Sequence, residues 1–234
     1  MYGKTRWAAC LIAVFAASQG FAAPALLLSP AQYDPALILP PPPDDDSARA
    51  KAELGELQRI TGARTEPELA RAKSDDKTEN ASIFADAIGP WFELKQLPAT
   101  AKMLVDVRRE EQAAAAVAKD FFKRNRPWIV DSTMASCSRA DAPNSSYPSG
   151  HSTMGYAMGT MLATLVPDKA QAILARASEY AENRLVCGMH FRRDIEAGQT
   201  LGTVVAVELM QTSAFRAEYD AAAKELQSAH LAGR

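Results

Sequence analysis

The sequence predicts an all-α fold, and three observations carry that reading. Long runs of strong helix formers recur along the chain, most of them open on a capping residue or a proline, and no alternating strand pattern is found. The 234 residues are 47% apolar and 23% charged, which suits a folded domain and excludes a disordered tail, a collagen-like repeat or a disulfide-dense miniprotein. A formal net charge of −2 argues against binding a nucleic-acid polymer, so any anion site must be a local cluster of cations. With no internal repeat, one helical domain is expected.

The elements follow in order. Met1 to Trp7 carries Lys4 and Arg6 without an acid, Ala8 to Ala17 is apolar, and Gly20 and Ala22 occupy the small positions of a cleavage site. This is the pattern of a secretory signal peptide over residues 1–22, too short in its apolar run for a membrane span. Its removal would leave a charge of −4 and a mature chain starting at Ala23. Residues 23–46 read as an extended leader because Pro40 to Pro43 fits neither helix nor central strand. The helical domain then spans 47–234. Asp45, Asp46 and Ser47 offer caps for a helix to about residue 61, and Thr65 with Pro67 opens another to Lys73. Ala81 to Ala87 is a short helix ending at Gly89-Pro90, and Thr100 to Arg124 a long one. Residues 128–148 have loop composition. Ser149 caps a helix to Leu165 and Asp168 one to Leu185. A further helix covers 191–211, where Val204 to Val207 is the one place a strand competes, and Thr212 or Ser213 starts the last. Gly155/Gly159 and Gly198/Gly202, each pair four apart, predict close helix approaches. No segment after the leader is long and apolar enough to span a bilayer, so the mature protein is expected to be soluble.

Cys10 leaves with the signal, so Cys137 and Cys187 remain, an even pair that in an oxidising compartment reads as one disulfide. Two buried free thiols are the alternative. A closed loop of that length stabilises by roughly 4 kcal/mol in the chain-entropy model.

Three segments carry chemistry. Lys119 and Arg126, seven apart near a helix end, leave on nearly the same side; alone, they fit a solvated helix end better than a site. Pro148-Ser149-Gly150-His151 enters a helix, whose exposed N–H groups form an anion site that Ser149 supplements, with His151 able to move a proton near neutral pH. Ser149 as a plain cap explains that segment as well. Arg184 precedes His190, and Asp194 lies four residues beyond, where a carboxylate can fix the imidazole tautomer and leave the other nitrogen nucleophilic. A surface pair on an Arg-rich turn is the plainer reading of the third segment.

Together the three segments form K-x6-RP, PSGH and R-x5-H-x3-D, once and in that order, separated by 20 and 32 residues. The pattern resembles the type 2 phosphatidic acid phosphatase superfamily, which includes bacterial class A nonspecific acid phosphatases and vanadium haloperoxidases. The polyproline leader, Phe84 to Gly89, Ser146 to His151 and Cys187-Gly188-x-His190 extend the resemblance to the class A enzymes over essentially the whole mature chain. It implies the helical bundle of that superfamily and a secreted, periplasmic phosphatase for small phosphomonoesters. His190 would attack phosphorus to give a phosphohistidine, with Asp194 orienting it and His151 as general acid and base. Lys119, Arg126, Ser149, Gly150 and Arg184 would hold the phosphate. No metal or other cofactor is implied, and family members often form homo-oligomers. Asn183 departs from the pattern, which places Ser before the third-motif Arg. The competing readings are a vanadium haloperoxidase and a phosphate-binding module without catalysis. His230, in the tail, is expected to be solvent-exposed and unrelated to the site.

Overall fold

In the computed structural model residues 25–232 are described, so the predicted signal peptide lies outside them. Seven helices of eleven residues or more occur among the described residues. They are α1 (Ala48–Ala63), α2 (Glu66–Asp76), α3 (Pro98–Phe122), α4 (Gly150–Leu165), α5 (Ala170–Val186), α6 (Arg192–Leu209) and α7 (Ser213–Ala232). Among the described residues there is no strand, and Val204 to Val207 continues α6, where Val205 and Ala206 are buried. Packing on a helical face outweighs the β propensity of the valines there.

Local signals place most boundaries. The Ser47 hydroxyl accepts from the Ala50 N–H, and Thr65 with Glu68 forms a reciprocal capping box. Other boundaries moved. The long helix starts at Pro98, whose missing N–H is no loss in a first turn, and ends at Phe122, where Lys123 turns left-handed at φ 49°. Asp168 does not cap α5; it lies in the 3-10 turn Pro167–Lys169, and Lys169 takes the cap position without a side-chain bond. The leader is not wholly extended, because Pro30–Tyr33 and Pro35–Ile38 each form a helical turn, the second capped by Asp34. Glu110 on α3 accepts from the Leu27 and Leu28 N–H groups, so the leader is tied to the bundle. Pro127–Val130 is a further helical turn inside the predicted loop.

α4 is the central helix, packed against α6 on one side and α5 on the other. The glycine pairs make this possible. A Cβ on Gly202 would stand 2.3 Å from the Thr153 carbonyl and one on Gly198 2.6 Å from that of Ser149, so the α4 and α6 backbones are in contact. A Cβ on Gly155 would meet Tyr180 of α5 at 3.1 Å, and one on Gly159 would meet Ala177 at 3.2 Å. One apolar cluster, with Phe84, Met103, Met158, Tyr180, Leu201 and Phe215, fills the bundle; a second, with Leu57, Trp128, Leu185, Met189, Phe191 and Ile195, lies under α1. The Cys137–Cys187 disulfide is formed, and the Cys137 N–H donates to the Cys187 carbonyl at 2.8 Å. Beside it Gly188 adopts φ +64°, with room for no side chain against the Ala135 carbonyl. His230 is not free in solvent: its ring stacks on Trp91 at 5.0 Å and faces Asp168 at 3.5 Å.

The helix contact gives a direct test. Gly202→Ala should destabilise by about 2 kcal/mol, because the added carbon meets backbone that must shift. Gly55→Ala, with nothing within 4 Å of its Cβ on α1, should stabilise by about 1 kcal/mol through helix propensity. Urea unfolding of the two variants measures both signs.

Candidate active site

The three sequence segments converge at the ends of α3, α4, α5 and α6. Lys119 comes from the last turn of α3. Arg126 does not share that helix, contrary to the spacing argument; it caps the turn Pro127–Val130 after the chain has reversed at Lys123. Arg126 still points inward, because its N–H donates to the Pro143 carbonyl at 2.7 Å and its guanidinium to Ser145 and the Met189 carbonyl. Lys119 donates to the Ser145 carbonyl, so one loop residue ties both cations. Ser149 is the N-cap of α4, with its hydroxyl accepting from the Ser152 N–H. Gly150 and His151 follow in the first turn, where N–H groups have no partner within the helix. Arg184 ends α5, its side chain buried.

The helix expected over 191–211 starts one residue later, and His190 lies just ahead of it. α6 begins at Arg192, so His190 precedes the helix and Asp194 lies in its first turn. The pair nevertheless meets, with Nδ1 of His190 3.4 Å from Oδ2 of Asp194, although Nδ1 has no well-aligned hydrogen bond. On the other side Nε2 lies 2.9 Å from Nη1 of Arg126. A guanidinium only donates, so Nε2 holds a lone pair and the proton sits on Nδ1, facing the carboxylate. That is the tautomer a nitrogen nucleophile requires.

Several partners went unread in the sequence. The Asp194 carboxylate accepts from Arg124 Nη1 at 2.6 Å, from the Ser146 hydroxyl at 2.6 Å and from the Phe191 N–H at 2.8 Å. Asp76, at the end of α2, pairs its carboxylate with Arg184, and its carbonyl lies 3.2 Å from Nε2 of His151. Asp141 pairs with Arg126 at 2.9 Å. Tyr180 stacks on the His151 ring at 5.5 Å. Asn183 turns away from these groups and donates to Asp75 at 2.7 Å, tying α5 to α2. Arg124 was visible only as one cation in a run, and Asp76 only as one of two adjacent aspartates; neither carried a spacing signal.

A cavity of about 250 Å³ opens on this cluster, lined by Lys119, Gly150 and His151 with Glu79, Arg108, Glu111 and Met154 among its other walls. Burial shapes its electrostatics. It lowers His190 well below the ordinary histidine value, and Arg126, Lys119 and Arg184 lower it further, so the imidazole is neutral. His151 is lowered for the same first reason, then by Arg184, against a raising bond to the Asp76 carbonyl. Burial, then Arg126, brings Lys119 down to about 7. Burial raises Asp194, with Arg124 the first of the groups opposing it. Burial also pushes Glu111 up to about 8 despite Arg108. The arrangement can hold a tetrahedral anion with donors on several sides and present it to one neutral imidazole nitrogen. Among the described residues no cluster of three or more His, Cys, Asp or Glu side chains is arranged to hold a metal.

Comparison with known proteins shows which family this chain is similar to. Residues 110–218 match the family model of the PAP2 superfamily. The chain is 34% identical to an acid phosphatase of Zymomonas mobilis over 167 residues, 68% of this chain and 63% of that one. It is 32% identical to a non-specific acid phosphatase of Salmonella typhimurium over 149 residues, 61% of this chain and 59% of that one. The matches thus span about six tenths of the length of these relatives. A transmembrane PAP2 type phosphatidylglycerolphosphate phosphatase from Bacillus subtilis superposes with a TM-score of 0.53 at 17% identity, covering 71% of this chain and 87% of that one, a likeness of fold. Among the described residues no helix is long and apolar enough to cross a membrane.

The low pKa of Lys119 has a measurable sign. Its charge is present below about 7 and lost as pH rises through that value, so the affinity for inorganic phosphate should fall by about tenfold per pH unit above it at most. Inhibition constants for phosphate from pH 6 to 9 should show that loss, and Lys119→Arg, which stays charged, should flatten it.

Proposed function

We propose that the chain, whose residues 110–218 match the family model of the PAP2 superfamily, is a broad-specificity acid phosphatase working through a phosphohistidine. The observation that carries this reading is the His190 ring, held between Arg126 on its free nitrogen and Asp194 on its protonated one.

A phosphomonoester enters with its nonbridging oxygens toward Lys119, Arg126 and Arg184, the Ser149 hydroxyl and the Gly150 N–H. The guanidinium forks suit paired phosphate oxygens. Nε2 of His190 forms a bond to phosphorus as the bond to the leaving oxygen breaks in line. Asp194 takes up the positive charge growing on the imidazole. His151 gives its proton to the leaving alkoxide, and the alcohol departs. A water then attacks the phosphohistidine, His151 recovers a proton from it, and phosphate leaves with His190 neutral again. Most of the rate comes from position and from charge placed before the reaction starts. Three cations supply the neutralisation, so the scheme needs no metal ion.

In the empty site His151 is held low by burial and by its cationic neighbours, and must be protonated to act as an acid. A bound phosphate brings negative charge beside it and raises it again. The basic limb for kcat/KM should therefore lie below the ordinary histidine value, and that for kcat at higher pH. An acid-side optimum follows. The predicted signal peptide supports export to the periplasm.

Turnover of p-nitrophenyl phosphate between pH 4 and 8 in the presence of EDTA tests the reading. Activity should survive the chelator and vanish in His190→Ala. His151→Ala should cost alkyl phosphates about tenfold more than p-nitrophenyl phosphate, whose leaving group needs no proton. Chelator-sensitive turnover, or activity retained without His190, would overturn the mechanism.

A further inference from the structure

The turn after α3 sends neighbouring cations in opposite directions. Lys123 adopts φ 49° and faces solvent near Asp120, whereas the Arg124 side chain is almost wholly buried. One Arg124 nitrogen donates to Oδ1 of Asp194 and the other to Oε2 of Glu53, both at 2.6 Å. Its guanidinium lies 4.3 Å over the Phe191 ring. Glu53, from α1, accepts the Arg193 N–H at 2.7 Å on its second oxygen. The Arg124 carbonyl accepts the Ser146 N–H at 3.0 Å, and the Ser146 hydroxyl reaches Oδ2 of Asp194. Arg124 thus governs both carboxylate oxygens, one directly and one through Ser146.

We propose that Arg124, anchored by Glu53, is a positioning residue for the nucleophile: it fixes the orientation and charge of the Asp194 carboxylate that faces His190. The inference rests on the phosphatase reading for its kinetic form. The Arg124 guanidinium touches Asp194, Glu53 and the Phe191 ring, so its link to His190 runs through the Asp194 carboxylate. Stability alone is a weak reason for the arrangement, because a buried ion pair is often no better than well-packed apolar side chains. Position is a better one, because Arg124 holds Oδ1 while Ser146 and the Phe191 N–H hold Oδ2, which fixes the carboxylate with Oδ2 3.4 Å from Nδ1.

The charges around Asp194 set the sign of the effect. Arg124 and Glu53 lie on the Oδ1 side, His190 on the Oδ2 side, and Lys119 and Arg126 act across the pocket. Burial already raises Asp194, and Arg124 is its nearest countercharge. Without that charge Asp194 takes up a proton at higher pH, Nδ1–H loses its acceptor, and the imidazole can carry its proton on Nε2 instead.

The test uses Arg124→Gln, Glu53→Gln, Asp194→Asn and the Arg124/Asp194 double variant. Arg124→Gln should lower kcat by about 100-fold, as misplacement of a reacting group does. KM for p-nitrophenyl phosphate and the inhibition constant of inorganic phosphate should change by no more than about threefold. The acid limb of kcat should move up by about one pH unit. In the Asp194→Asn background the Arg124 substitution should cost no more than about threefold, because its route of action is already cut. Losses that multiply in the double variant, or a fall confined to KM, overturn the proposal. Should Arg124→Gln not fold, Glu53→Gln keeps the guanidinium but loosens its anchor, and should lower kcat by a smaller amount with KM unchanged; an unchanged kcat overturns it. Nitrogen-15 spectra of labelled histidine read the tautomer without turnover. His190 should be protonated on Nδ1 in the wild type and mixed in the variant. An inactive wild type with that spectral change would sink the phosphatase reading while leaving the positioning role standing.

Discussion

The contact between α4 and α6 is the constraint from which the site follows. Gly198 and Gly202 let two backbones touch where side chains would hold them apart. At that contact the Ser149 N–H donates to the Asp194 carbonyl at 2.9 Å, which joins the first turn of one helix to the first turn of the other. The anion-binding end of α4 and the histidine–carboxylate pair before α6 are therefore placed by one local contact. α3 and α5 then need only deliver Lys119 and Arg184 from their ends.

The same burial that makes the cations effective also sets the state of the histidines. Three positive side chains in a poorly solvated pocket repel a fourth charge, so His190 stays neutral and Lys119 is poised near 7. A phosphate relieves this strain of like charges. On the proposed function, binding and protonation would be coupled by the electrostatics of the pocket, with substrate adding the negative charge that lets His151 keep a proton.

Much of this was legible in the sequence because it depends on short spacing. Ser47, Thr65 and Ser149 announced three helix starts through side-chain chemistry that acts over three residues. The glycine pairs announced the close helix contacts, and two cysteines announced their bond. The motif residues Lys119, Arg126, Ser149, Gly150, His151, Arg184, His190 and Asp194 do meet in space, Lys119 and Arg126 through a turn and not through a shared helix face. Arg126 and His190 lie just outside helices, as the expected bounds 100–124 and 191–211 implied, and they reach the site because of turns at Lys123 and at residues 188–191. Hidden were the partners supplied by remote elements. Glu53, Asp76, Asp141 and Ser146 gain their roles from tertiary placement, and no periodicity marks an acid that will face a particular cation. The Asn183 departure likewise became readable only once Asp75 was found beside it.

The pairing of Arg184 with Asp76 and of Arg126 with Asp141 changes what phosphate affinity means here. The empty pocket already holds its own anions. On the proposed function, entry of phosphate would exchange one set of negative partners for another, so its binding free energy would be a difference between similar terms and not their sum. The exchange runs as readily in reverse when product forms. On the proposed function, a pocket with several phosphate contacts would thereby be kept from becoming a trap for free phosphate, and its tightest grip would be reserved for a geometry that the aspartates cannot imitate, the trigonal phosphoryl group midway through transfer.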